Sequence, residues 1–246
     1  FPALAVDYQL HGFASQALVW SEGNNVLGHS TRGSVAYNEF GTSLTVDVTP
    51  GLLLSAPGAE RDAGEQDNSS LRLDYALLDY QFLNSSYFNA GVRAGRVKNP
   101  IGLFNETRDV VFTRPGILLP QSAYVEAQGL RSLFFATNGG QLYGGASYGD
   151  HYTTLSLTRG LGTKFSEQEK RQISGGAPLP ADVEVHNFVV ARLQDEVNGG
   201  QWRFALSGVH GDLVIVPHLG GPLNGFAHIH MYLLSGRYNG ERYSLK

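Results

Sequence analysis

Residues 39–56 read EFGTSLTVDVTPGLLLSA, and their alternation decides the fold class. Phe40, Thr42, Leu44, Val46 and Val48 share one side of an extended chain, while Glu39, Ser43, Thr45 and Asp47 share the other. Successive side chains of a strand point to opposite faces, so this spacing predicts a strand with one oily and one polar face. A strand from about Gly33 to Thr49 is long enough to cross a membrane, since a tilted transmembrane strand needs about 9 to 11 residues. Thr49-Pro50-Gly51 then makes a tight turn, and Leu52 to Ala56 begins the return strand.

Working outward, the same period recurs. In the first strand, about Tyr8 to Trp20, His11, Phe13, Ser15, Ala17 and Val19 face one way. Leu10, Gly12, Ala14, Gln16, Leu18 and Trp20 face the other. Neither side is cleanly polar, so its orientation stays open. Leu71, Leu73, Tyr75 and Leu77 alternate with Arg72, Asp74 and Ala76. From Tyr87 to Lys98 the pattern fails, because Phe88, Ala90 and Val92 share parity with Arg96 and Lys98 while Arg93 falls opposite. A bulge at Ala94-Gly95 would reset the faces. Further strands are expected at about 129–136, 140–148, 152–159, 186–196, 201–212, 225–238 and from Arg242 onward. Only Lys164 to Ile173 has helix-like content, and Gly175 and Gly176 end it.

Connections alternate in length. Short turns at 49–51, 83–86, 198–200 and 239–240 are separated by long loops at 57–70, 99–128, 161–184 and 214–224. Outer-membrane barrels have this asymmetry, with short periplasmic turns and long extracellular loops. The composition agrees: 31 Gly, 12 Tyr and 13 Phe accompany only 16% charged residues, against about 25% in a soluble domain. Mean hydropathy is nonetheless −0.16, because uncharged polar residues fill the gap. No run approaches the 18 or so apolar residues of a membrane helix, which excludes a helical membrane protein. A net charge of −4 gives no basic footprint for nucleic acid. The lack of Cys excludes a disulfide framework and Cys-ligated metals.

Ala3-Leu4-Ala5 has the small-x-small form of a signal-peptidase site, so residues 1–5 read as a possible export-signal remnant and 6–246 as one barrel domain. The last expected strand stops about five residues after the Asn239-Gly240 turn. A strand abandoned there leaves an unpaired edge. The expectation is therefore a truncated antiparallel transmembrane barrel, with about 11 to 12 strands present and more to follow.

Residues 95–126, GRVKNPIGLFNETRDVVFTRPGILLPQSAYVE, have no sustained period and hold three of the 10 prolines. A loop this long is functional or disordered, and its apolar content argues for burial. Folded into a lumen, it would hold Arg108, Asp109 and Arg114 across the water path, where rings of charge set selectivity. Together with LRLDYALLDYQF before it and GGQLYGGASYG after it, the segment resembles Gram-negative outer-membrane porins whose loop folds into the channel. The resemblance is specific at Gly95, Arg96, Lys98, Pro100, Gly102, Leu103, Asn105 to Asp109, Phe112 to Pro115 and Leu119 to Ser122. It implies a homotrimer of barrels with about 16 strands, passive diffusion of small hydrophilic solutes or ions, and no cofactor. It also implies an outer-membrane location among membrane lipid and lipopolysaccharide. Family chains close with a C-terminal aromatic strand, whereas this one ends Ser244-Leu245-Lys246.

On this reading Arg96, Lys98, Glu106, Arg108, Asp109 and Arg114 form the pore constriction. Glu39, Asp47, Arg72, Asp74, Arg192 and Arg203 form the lumen wall. Acids and bases balance, which predicts weak selectivity. Trp20, Trp202 and the tyrosines are expected in an interfacial girdle. No catalytic residue is assigned, since there is no G-x-S-x-G and no pattern tying one Ser to one His. His228 and His230 have a spacing that could bind a metal, but no third ligand is evident, and they read as lumen-facing polar residues. The competing classes are a soluble β-sandwich carbohydrate-binding module and an adhesive barrel that conducts nothing.

Overall fold

The computed structural model describes residues 7–23, 25, 29–62, 72–116, 119–120, 123–124, 131–218 and 225–245. Ten long strands carry it: β1 (Asp7–Val19), β2 (Ser34–Thr49), β3 (Leu52–Asp62), β5 (Ala76–Asn84), β6 (Phe88–Lys98), β7 (Ala136–Tyr148), β8 (His151–Gly160), β10 (Ala181–Val197), β11 (Trp202–Pro217) and β12 (Gly225–Asn239). Two-residue strands β4 (Arg72–Leu73), β9 (Thr163–Lys164) and β13 (Ser244–Leu245) complete a single 13-stranded sheet. Every pairing is antiparallel, and each long strand lies beside its predecessor in the chain. Among the described residues β1 and β13 are the two ends of this order and do not pair with each other. Two short helices, α1 (Arg131–Phe135) and α2 (Glu167–Ile173), sit in the long connections, and neither is long and apolar enough to cross a membrane.

The register makes the faces explicit, because direct antiparallel partners share a side. One continuous row runs Leu52, Tyr80, Val92, Leu142, Leu157, Ala191, Gly208, Tyr232 across eight strands. Its large members are exposed, Tyr232 to 80% and Leu142 to 52%. The adjacent row on the opposite face runs Leu53, Asp79, Arg93, Gln141, Thr158, Val190, Val209, Met231. Two rows further toward the short turns, that face carries Asn89, Gly145, Thr154, Gln194, Ala205 and Ser235. One face of the sheet is therefore oily and open, and the other carries the polar groups together with the apolar residues that pack beneath the inner loop. That is the sidedness of a membrane β-barrel wall.

This resolves the first strand. Phe13 pairs with Gly41 and Ser15 with Glu39, which puts His11, Phe13, Ser15 and Ala17 on the polar side and Leu10, Gly12, Ala14, Gln16 and Leu18 on the oily side. Several expected boundaries change. The region expected to be a strand at 129–136 contains helix α1 over Arg131–Phe135. The loop expected from Pro57 starts later, because β3 continues to Asp62 against β2. No bulge falls at Ala94-Gly95, where pairing with β5 and β7 runs on unbroken. The irregularity of that hairpin lies between Gln81 and Leu83. The helix-like stretch does form α2, started by a capping box in which the Ser166 hydroxyl accepts from the Glu169 N–H and the Glu169 carboxylate accepts from the Ser166 N–H.

The sheet is a trough rather than a plane. The Gly102 N–H donates to Ser207 Oγ on β11 at 2.9 Å, while the ring of Phe112 meets that of Phe13 on β1 at 6.3 Å. Those strands lie eight places apart in the sheet order, roughly 38 Å on a flat sheet at ~4.8 Å per strand. Ten residues reach at most about 34 Å fully extended, and residues 102–113 are mostly coiled in turns. The sheet must therefore curl until its two flanks approach the same loop. Inside the curl Ile101, Leu133, Phe134, Phe165, Val183, Val185, Phe188, Val190 and Val209 form the principal apolar cluster. Each such side chain is worth about 1.5–3 kcal/mol when buried, so this cluster pins the loop to β10 and β11.

Gly95 lies where β5 and β6 approach closely. Its φ is +121°, and an added Cβ would lie 2.4 Å from the Ala76 carbonyl oxygen, a backbone atom that cannot swing away. Gly95→Ala should cost about 1–3 kcal/mol for the backbone conformation alone. The expected outcome is loss of the heat-resistant folded band on unboiled gels; a wild-type band would show that this strand pair can open.

Candidate functional site

The loop after β6 starts with asparagines. Asn99 Nδ2 donates to the Leu133 carbonyl at 2.8 Å, and Asn105 Nδ2 donates to the carbonyls of Asn99 (2.8 Å) and Phe134 (2.9 Å). The loop's first turns are thus tied to helix α1 that closes it, and both amides are buried. Tyr124 folds back from the far limb, its hydroxyl accepting from the N–H groups of Leu103 (3.0 Å) and Phe104 (3.2 Å). Burial pushes that hydroxyl's pKa up, partly opposed by these two donors.

Charge then fastens the loop to the wall at three points. Arg114 Nη2 holds both oxygens of Glu39 on β2 at 2.9 Å, and Arg114 Nε donates to the Arg108 carbonyl at 2.6 Å. Lys98 Nζ at the end of β6 reaches both Asp109 oxygens at 2.8 Å and lies 4.1 Å from the centre of the Tyr75 ring. Glu106 pairs with Arg192 on β10 and, at 3.7 Å, with Arg93 on β6. Arg93 is also held by Asp79 at 2.8 Å and stacks 4.4 Å from the Tyr143 ring centre.

Between this loop and the wall toward the short turns lies a cavity of about 390 Å³, lined by Arg93, Glu106, Tyr143, Tyr152, Arg192 and Gln194 among others. Its charges are two guanidiniums and one carboxylate, with Asp79 behind Arg93. A solute passing here would meet hydroxyl and amide groups and a nearly balanced set of charges.

No family model matches the chain, and no curated protein matches it either. Among solved structures the chain is similar to OmpT (in-vitro folded), an outer membrane protein of Vibrio cholerae. Identity is 13% and the TM-score 0.40, over 96% of this chain and 71% of that one.

The expected constriction residues separate into distinct roles. Glu106 and Arg192 face the cavity as a pair. Lys98, Asp109, Arg114 and Glu39 are brought together with the loop but serve as tethers, their side chains 15%, 8%, 6% and 5% exposed. Arg108 does not face a water path: it is 2% exposed, donates from Nη2 to the Arg131 carbonyl at 3.3 Å and lies 5.1 Å from the Phe135 ring centre. Its expected place in a selectivity ring is thus corrected, because it is packed under the loop. Arg96 turns to the Asp74 carbonyl at 3.1 Å, and Asp74 is itself buried with Arg131 at 3.7 Å. Arg203 lies at the short-turn end with Glu196 at 3.2 Å. Asp47 is exposed beside the first turn, far along the strand from the loop's Glu39 contact. The Arg72 side chain lies outside the described residues.

Asp79 and Tyr143 were missed as site residues, and Arg93 reads from sequence only as part of a general basic wall. The clue was Leu77-Leu78, a doubled apolar step that resets the alternation, so that Leu78, Tyr80 and Phe82 face outward and Asp79 and Gln81 inward. His228 and His230, expected to face inward, sit on the oily side instead. His230 pairs directly with His210, whose neighbour Val209 belongs to the inner cluster.

Proposed function

We propose that this chain is the wall and inner loop of a passive pore in the outer membrane of a Gram-negative bacterium. The observation that carries this is the outer row across eight strands, which holds no polar side chain but the Tyr hydroxyls and whose large members are mostly exposed, backed by the inner-face polar groups Asp79, Arg93, Gln141 and Thr158. A soluble sandwich would bury such a row against a second sheet; here its leucines and tyrosines are open. The inner loop narrows the passage, and solutes move down their gradient past Arg93, Glu106 and Arg192. The solute class is small and hydrophilic, no catalytic step is assigned, and the assembly is a homotrimer surrounded by lipid and lipopolysaccharide.

The test is conductance of the full-length protein in planar bilayers, with discrete ohmic steps expected. A folded, membrane-inserted protein that conducts nothing would leave the adhesive-barrel reading in its place. The faces can be tested separately. Leu142→Arg or Leu157→Arg puts charge on the outer row and should cost about 2–4 kcal/mol in urea unfolding from lipid vesicles. Thr154→Arg, on the inner face, should be nearly neutral. Equal costs on both faces would contradict the assignment of lipid and lumen.

A further inference from the structure

On the outer face, near the long-loop ends of β11 and β12, four side chains form a two-by-two block. His210 is the direct partner of His230, and Asp212 is the direct partner of His228. Direct partners have Cβ atoms about 4.5–5.5 Å apart, a spacing that lets imidazoles on adjacent strands share one ion. The ring centres of His210 and His230 are 4.8 Å apart, those of His228 and His230 are 6.1 Å apart, and those of His210 and His228 are 6.4 Å apart. Asp212 Oδ1 lies 2.9 Å from His228 Nδ1, accepting from it when that nitrogen carries the proton, and 3.9 Å from His210 Nε2. The other Asp212 oxygen takes an N–H from Asn187 at 2.7 Å, which fixes the carboxylate.

We propose that His210, His228 and His230 bind a divalent transition-metal ion, zinc or copper, with Asp212 orienting His228 or completing the ligand set. Three imidazoles with a carboxylate suit these ions rather than calcium or magnesium. A carboxylate on the second nitrogen of a ligating ring sets its tautomer and orientation. Among the described residues no three or more His, Cys, Asp or Glu side chains, these included, stand in position to hold a metal ion. Closure therefore requires a change of χ1 rotamer or rotation about the broad χ2 torsion of the rings, which is open to them because His210 and His228 are 43% and 58% exposed. The site lies on the outside of the trough and stands whether or not the trough conducts.

The experiment uses full-length protein in detergent at neutral pH, titrated with zinc alone and with copper alone. Expected is one saturable zinc site per chain, weakened about tenfold or more by His210→Asn, His230→Asn or Asp212→Asn. His151→Gln should leave it unchanged, because His151 lies at the short-turn end of β8, its Nδ1 2.8 Å from Asp195. Copper bound to the wild-type protein should show nitrogen hyperfine structure from imidazoles, a readout that needs no variant to fold. Absence of saturable binding would overturn the proposal. So would zinc affinity that survives removal of all three imidazoles, or equal loss with His151→Gln.

Discussion

Arg114→Ala should lower the stability of the folded protein by about 3–5 kcal/mol and raise single-channel conductance. The cost is the one expected when one partner of a buried ion pair is removed and the other is left charged and largely shielded from solvent. Glu39 is that stranded partner. Its side chain is 5% exposed, and Arg114 holds both its oxygens at 2.9 Å while the Tyr37 hydroxyl donates to it at 3.0 Å. The conductance change follows from position. Arg114 is where the tip of the inner loop is fastened to β2, and its Nε also grips the Arg108 carbonyl inside the loop. With that hook gone, the loop keeps its base at Asn99, Asn105 and Tyr124 but can swing away from the β2 flank. Glu39→Gln should cost less, since a neutral amide can remain in place without a charge to desolvate. The double variant Glu39→Gln/Arg114→Met should recover part of the loss, because no uncompensated charge remains. Urea unfolding in vesicles and bilayer recordings on the same preparations measure both effects. Wild-type conductance in a folded Arg114→Ala protein would mean that the tether does not set the width of the passage.

Alternation made most of the wall readable. Residues 40–48 showed their faces directly, because Phe40, Leu44, Val46 and Val48 fall on one parity with only Thr42 among them, and Gly41 falls on the other. Tyr87 to Lys98 did not, since Arg93 faces inward and balances Asp79 and Glu106, partners that lie 14 and 13 positions away. Parity cannot anticipate such pairings. The strand expected at 129–136 contains helix because its apolar residues Leu133, Phe134 and Phe135 bury against Phe188 and the loop base instead of joining a face. The loop's membership in the site was legible from its length, prolines and apolar content. The division of its charges into cavity-facing and buried was not. Arg108 and Glu106 are two residues apart in one polar stretch, yet one is sealed beneath Phe135 and the other reaches the cavity. That division is decided by how the turns at 102–109 coil, which depends on distant contacts such as Ser207 and Tyr124.

Glu106→Gln should turn a weakly selective pore toward anions. Glu106 is the carboxylate between two guanidiniums, Arg192 and Arg93, and Arg93 retains Asp79 at 2.8 Å when Glu106 is neutralised. The local sum of these four groups moves from zero to +1. A unit charge acting at about 4 Å through water contributes about 1 kcal/mol, favouring an anion and disfavouring a cation, so the upper bound on the change in the anion-to-cation permeability ratio is roughly 30-fold. Screening supplies the internal check. The Debye length falls from about 10 Å at 0.1 M salt to about 3 Å at 1 M, so the shift should be large in dilute salt and shrink as salt rises. Asp47→Asn removes the same charge from an exposed position beside the first turn and should shift selectivity much less. Stability should fall by less than with Arg114→Ala, because the glutamine oxygen can still accept from Arg192, which also keeps the Gly102 carbonyl at 3.2 Å. Reversal potentials across a salt gradient read the ratio directly. If Glu106→Gln and Asp47→Asn shift it equally, the cavity under the loop is not where ions are discriminated.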